Sequence, residues 1–264
     1  MKKWMQYASL IFNVVLVGIV LIFLYGNGRE GTLAYPDGSL YTGQIRENKA
    51  NGIGEKRYPD GKVFTGTWKD HAIHGFGQAL STNGAYYIGK WSEGKQDQIG
   101  IKRDMTGNFY YGEFSLGQES GQGALLLTSN DVYIGSWLDG KRHGYGTYIF
   151  EDGSIYSGDW ENGVRSGMGK EFFEDGDQYV GEYKSEKFDG RGVYTFRNGI
   201  QFEGIWSAGK RNGEGTLTDI NRITYTGGWY GDWDDNTAEG IVTAKYLNGE
   251  SAQGRYLNGE FIKE

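Results

Sequence analysis

The sequence predicts an all-β protein: an elongated, single-layer antiparallel sheet of tandem β-hairpins, preceded by one transmembrane α-helix. Three observations predict it. An aromatic residue recurs every 23 residues, each recurrence after the first opens an aromatic–Gly–aromatic alternation, and residues 4–28 carry no charge. A fixed period of this size marks a repeat architecture. Alternation at positions 0, +2 and +4 puts all three residues on one face of a strand.

Residues 1–9 form a short N-terminal segment with Lys2 and Lys3. Residues 10–25, LIFNVVLVGIVLIFLY, are apolar enough and long enough for a bilayer-spanning helix. Trp4, Tyr7 and Tyr25 flank it where interfacial aromatics are expected. Lys2 and Lys3 on one side, against a cancelling Arg29 and Glu30 on the other, place the N-terminus in the cytoplasm and the repeats outside. The alternative is a cleaved signal peptide and a secreted product. The apolar run is longer than such peptides use, and Gly26-Asn27-Gly28 is a poor cleavage site. Residues 26–30 form a short linker. Gly31 and Gly38 fall where the +13 and +20 glycines of a preceding repeat would lie, so residues 31–40 read as a half repeat.

Nine 23-residue repeats follow over 41–232, the last one worn. They open at Tyr41, Phe64, Tyr87, Tyr110, Tyr133, Tyr156, Tyr179, Phe202 and Tyr225. Gly stands at +2 in each, and a large residue such as Trp68, Trp91, Trp137, Trp160 or Trp206 at +4. A Gly-x-Gly pair comes next, as in Gly144/Gly146, except that the third repeat has Gln98 before Gly100. Gly between two aromatics lets their rings lie on backbone, because a side chain there would collide. Closing turns such as Asp60-Gly61, Asn83-Gly84 and Asp152-Gly153 are hairpin signals of type I′. The second strand carries Tyr58, Leu127, Phe150, Phe173 and Phe196 at +17.

The pattern Y-x-G-x-W-x-x-G-x-x-x-G-x-G, closing on Asp-Gly and repeating in phase over residues 31–232, resembles the MORN repeat (membrane occupation and recognition nexus). The resemblance implies one hairpin per repeat, and scaffolding and membrane-association roles rather than catalysis.

The third repeat is the most degenerate, with Lys102 and Asp104 where other repeats place apolar residues; it reads as a drifted copy, a bend or a partner site. In the fourth, one of Leu125, Leu126 and Leu127 must face away from the aromatic side. Residues 233–264 break the rhythm and read as a cap on an open sheet end.

Catalytic chemistry is sparse. With no Cys there is no thiol nucleophile, disulfide or Cys-based zinc site. His71 and His74 read as exposed loop residues, and His143 stands apart. Asp232, Asp234, Asp235, Asn236 and Glu239 lack calcium-loop spacing. No cofactor or metal is expected, and a net charge of −7 argues against nucleic-acid binding. The expected function is a non-enzymatic, membrane-anchored interaction or scaffold module with a protein partner. The alternative is direct binding of anionic phospholipid or envelope polysaccharide. Lys49, Lys95, Lys141, Arg142, Arg165, Lys187, Lys210 and Arg211, at +8 and +9, form the candidate basic binding edge. Asp37, Asp60, Glu151, Asp152, Glu174 and Asp175 in the closing turns would line the opposite, acidic edge. A row of exposed aromatics is a third candidate surface, for sugars or proline-rich peptides. Pairing of sheet ends or faces would give a homodimer.

Overall fold

The computed structural model describes residues 29–232 and 239–264, and these contain strands and turns but no helix. The expected membrane segment, 10–25, lies outside the described residues, as do Asp234, Asp235 and Asn236 of the acidic cluster. Among the described residues no helix is long and apolar enough to cross a membrane.

The chain divides into two compact units, residues 1–128 and 129–264. The first holds β1 (Arg29–Ala34), β2 (Leu40–Arg46), β3 (Lys49–Arg57), β4 (Val63–Lys69), β5 (Ala72–Leu80), β6 (Tyr86–Ser92), β7 (Lys95–Arg103), β8 (Phe109–Ser115) and β9 (Gln118–Leu126). The second holds β10 (Val132–Leu138), β11 (Lys141–Ile149), β12 (Ile155–Glu161), β13 (Val164–Phe172), β14 (Gln178–Lys184), β15 (Lys187–Thr195), β16 (Gln201–Ser207), β17 (Lys210–Thr218), β18 (Thr224–Gly231), β19 (Glu239–Lys245), β20 (Ser251–Leu257) and β21 (Glu260–Lys263). Within each unit, successive strands pair antiparallel. β1 starts inside the expected linker and pairs Gly31 with Gly43, as a +13 glycine pairs with the next +2 glycine (Gly54 with Gly66).

The fifth repeat shows how the sequence makes this unit. Leu138 pairs with Lys141 across a two-residue turn in which Asp139 (φ 49°) and Gly140 (φ 76°) are both left-handed. This is the type I′ geometry, which follows strand twist. The closing turn is different from the expectation. In Phe150–Ser154 only Gly153 has positive φ, while the Gly153 N–H donates to the Phe150 carbonyl at 3.0 Å and the Phe150 N–H to the Ser154 carbonyl at 2.9 Å. That is a three-residue loop with a left-handed Gly. Asp152 Oδ1 accepts from the Ser154 N–H at 2.8 Å, which is what the short carboxylate contributes there. The two-residue turns with two left-handed residues thus lie between the two strands of each of the first eight repeats.

Between Gly135 and Trp137 the register slips, and the opposite strand absorbs extra residues around Gly144 (φ 67°). The first glycine of the Gly-x-Gly pair supplies this left-handed bulge position. Gln98 occupies it in the third repeat at φ 55°, so that repeat keeps the hairpin at a conformational cost.

The second glycine of the pair has another task. The Tyr133 ring lies along the sheet over Gly146, where a Cβ would come within 2.5 Å of Cε2 and Cζ. The Tyr133 hydroxyl then donates to the Ser136 carbonyl at 2.9 Å. The same tyrosine bond recurs at Tyr41, Tyr87, Tyr110, Tyr156 and Tyr179. Trp160 of the next repeat meets Tyr133 edge-on, with centroids 5.3 Å apart, and its Nε1 donates to the Gly146 carbonyl at 3.2 Å. Trp68, Trp91, Trp206 and Trp229 make the corresponding bond. Where one of these five Trp stands at +4, the repeat is therefore tied to the preceding one by an aromatic contact and a hydrogen bond, the nearest-neighbour coupling of a repeat protein.

At the C-terminal end, β18 and β19 pair without the bulge. Tyr256 packs on Tyr225 (5.1 Å) and Trp229 (5.2 Å), and Phe261 lies 5.5 Å from Tyr225, so this irregular segment covers the last aromatics of the array.

Candidate interaction surfaces

The two-residue turn decides where the candidate basic residues go. It sets +8 opposite +5 and +9 opposite +4, so consecutive residues face opposite sides of the sheet. Lys49 and Lys95 in the first unit, and Lys141, Lys187 and Lys210 in the second, are exposed at the hairpin ends. Lys49 pairs with Asp70 at 3.3 Å and Lys210 with Asp232 at 2.9 Å.

The +9 arginines are not on that row. Arg142 lies over the Trp160 ring at 4.3 Å and donates to the Gly163 carbonyl at 2.7 Å. Arg211 is buried, 4.6 Å above the Phe202 ring. Arg165 binds Glu171 at 2.5 Å and Glu186 at 2.6 Å, and Tyr183 donates to the second oxygen of Glu171 at 2.9 Å. Burial works against the Arg165 charge, but Glu171 and Glu186 outweigh it and its pKa is raised. Burial and Glu171 together push the Tyr183 phenol far above its ordinary range. The eight residues thus separate into lysines exposed at hairpin ends in each unit and, in the second unit, arginines built into the aromatic packing, because residues directly opposite a Trp or Tyr at +4 must share its face.

The aromatic rows that define the repeat are themselves buried. Tyr133, Tyr156, Tyr179 and Phe202 expose none of their surface, since each ring is boxed by the +4 rings of its own and the next repeat. Exposed rings belong to the opposite face: Phe76, Phe109 and Tyr111 in the first unit, Tyr145, Phe172 and Tyr230 in the second. Leu126 is the one of the three leucines turned outward.

Polar residues that the repeat pattern does not specify also enter the aromatic face. Lys102 pairs with Glu119 at 2.7 Å, and Tyr148 and Tyr194 donate to Asp131 (2.8 Å) and Asp177 (2.6 Å). Position +15 lies directly opposite each lead aromatic, which is why Lys102, Tyr148, Glu171 and Tyr194 all point there. The sequence signal for this row is the antiparallel register itself. His71 sits in an exposed turn and bonds the Tyr35 hydroxyl at 2.8 Å, whereas His74 lies within strand β5 and not in a loop. Among the described residues no group of three or more metal-binding side chains converges.

With this geometry in place, the sequence comparison is decisive for class. The MORN repeat family matches residues 41–63, 64–86, 110–132, 133–155, 156–178, 179–201 and 202–222. These seven segments make up more than half the chain, which belongs to the MORN repeat family. The third repeat, 87–109, is not among them, although its strands keep the same pairing and bulge. No curated protein matches the sequence significantly. Among solved structures, the chain is similar to the TCP10 domain of Danio rerio CPAP in complex with a STIL peptide, at 13% identity over 89% of this chain and 100% of that one, with a TM-score of 0.40. It is also similar to the Drosophila melanogaster SAS-4 TCP domain in complex with a proline-rich motif of Ana2, at 10% identity over 75% and 88% of the two chains, with a TM-score of 0.35.

Proposed function

We propose that this MORN-repeat chain is a non-enzymatic, membrane-anchored interaction module, held by residues 10–25 with its N-terminus cytoplasmic and its repeats extracytoplasmic. One observation supports the interaction role above others. In both units the repeat-defining Tyr, Gly and Trp residues are consumed in holding hairpins together, while the other face presents side chains that the repeat does not dictate. A face free of packing duty is free to take up a partner. The test is protease protection in intact cells with a C-terminal tag, run beside membrane fractionation and cross-linked capture. A membrane-bound tag digested from outside, with a reproducible cross-linked protein, supports the reading. A soluble tag, or one cut only after lysis, overturns the anchored topology.

The exposed lysine row supports a second reading, binding of anionic lipid or envelope polysaccharide. Replacing Lys141, Lys187 and Lys210 with Glu should abolish salt-sensitive flotation with anionic vesicles. Unchanged flotation removes this reading.

A further inference from the structure

The open face of the second unit is not uniform. Val132, Ile149, Ile155 and Phe172 stand opposite one another on β10, β11, β12 and β13. The same row continues across β14–β18 as Gln178, Thr195, Gln201, Thr218 and Thr224. The fold is identical in both stretches, so the fold does not require apolar side chains at these positions. Phe172 nonetheless keeps 40% of its surface exposed, and Tyr145 and Met168, on the same face, keep 63% and 55%.

A second feature borders this apolar row. Its residues flank the closing turns: Glu151 and Asp152 lie between Ile149 and Ile155, and Glu174 and Asp175 come after Phe172. All four carboxylates are exposed, and none forms a salt bridge among the described residues. The hairpin end of the same strands carries Lys141, with Asp139 and Glu161 exposed beside it. The surface therefore reads as an acidic ridge along an apolar row, with the Lys170 ammonium 4.3 Å over the Phe172 ring at one end of it.

We propose that the open face of β10–β13 is a docking surface for a cationic amphipathic helix of a partner protein. Its apolar side would cover Val132, Ile149, Ile155 and Phe172, and its Lys or Arg border would lie toward the closing turns. Charge complementarity with the acidic ridge sets the partner's sign and draws its basic border toward the closing turns. Four strands at ~4.8 Å spacing give a row of ~14 Å, which about ten residues of helix cover at ~1.5 Å each. The acidic border also disfavours an anionic membrane as the occupant of this face. The proposal rests on the interaction-module reading and names the chemistry of its partner.

The probe is a fluorescent 14-residue Leu/Lys peptide with one apolar side, titrated against the purified full chain, with a Leu/Glu peptide of the same pattern as control. Saturable binding of the Lys peptide alone is expected. Glu151→Lys with Glu174→Lys should weaken it about tenfold or more, while Glu203→Lys with Glu214→Lys, the same charge change elsewhere on the unit, should leave it within about twofold. Ile155→Thr with Phe172→Thr should also weaken it about tenfold. Equal loss in the two charge-reversed pairs overturns the proposal, because attraction to an acidic chain would then suffice. So does full binding by a folded Ile155/Phe172 variant, or the absence of saturation. If the threonine variant does not fold, the two charge pairs decide. Failure here leaves the fractionation and capture results intact, so it is distinguishable from failure of the interaction-module reading.

Discussion

Gly146→Ala tests the physical basis of the repeat. The added Cβ would lie within 2.5 Å of Cε2 and Cζ of Tyr133, and it meets the hydroxyl as well, so the ring has to leave its seat. Three losses follow. Strain from overpacking costs about 1–3 kcal/mol. The bond from the Tyr133 hydroxyl to the Ser136 carbonyl is worth about 1 kcal/mol. The edge-on contact with Trp160 is worth about 0.5–1.5 kcal/mol. Destabilisation of about 4 kcal/mol is expected. Gly153→Ala is the matched control: nothing lies within 4 Å of its Cβ, but φ is +95°, so only backbone strain of about 1–2 kcal/mol applies. The assay is urea unfolding of the full chain followed by tryptophan fluorescence, with the slope checked for unchanged cooperativity. The decisive comparison is Gly146→Ala in a Tyr133→Ala background, where the obstacle is gone and the added cost should fall below about 1 kcal/mol. If the cost is the same with and without the ring, Gly146 is not there to seat Tyr133 and the reasoning fails.

Gln98→Gly should stabilise the chain by about 1 kcal/mol, because Gln98 sits at φ 55° where seven other repeats use Gly; a lower urea midpoint would refute this. Arg165→Met should cost about 3–5 kcal/mol, because it leaves Glu171 buried without its ion partner, and Glu171→Gln should restore part of it; additive losses in the double variant would show that the pair is not coupled. Burial raises the pKa of both Tyr133 and Tyr148 to about 12, and for Tyr148 the Asp131 carboxylate adds to the effect. The unfolded phenols ionise near 10 and so release protons first as pH rises. Stability from these groups is therefore complete below pH 10 and is lost between about pH 10 and 12. Tyr133→Phe should flatten that alkaline loss in a pH series of melting temperatures, and an unchanged slope would count against the assignment.

The sequence by itself determined the repeat and its fold. A 23-residue period, a Gly between aromatics and a turn at each end leave few alternatives to stacked hairpins, because all the information is local and written nine times. It also predicted that a side chain at the inter-aromatic glycines would collide, as it would at Gly135 and, on the facing strand, at Gly146. The roles within the candidate basic edge were decided by tertiary structure. Lys141 and Arg142 are adjacent in sequence, yet one is exposed and the other lies over Trp160, because a two-residue turn pairs Arg142 with Trp137 and Lys141 with Leu138. The ion pair of Lys102 with Glu119 and that of Arg165 with Glu186 join residues of different repeats. A repeat motif describes what every copy shares, so contacts made by the residues that differ are visible only once neighbouring hairpins are set side by side. The same reason hides the apolar row of Val132, Ile149, Ile155 and Phe172: its members are dispersed along the chain, and only the strand register brings them into one line.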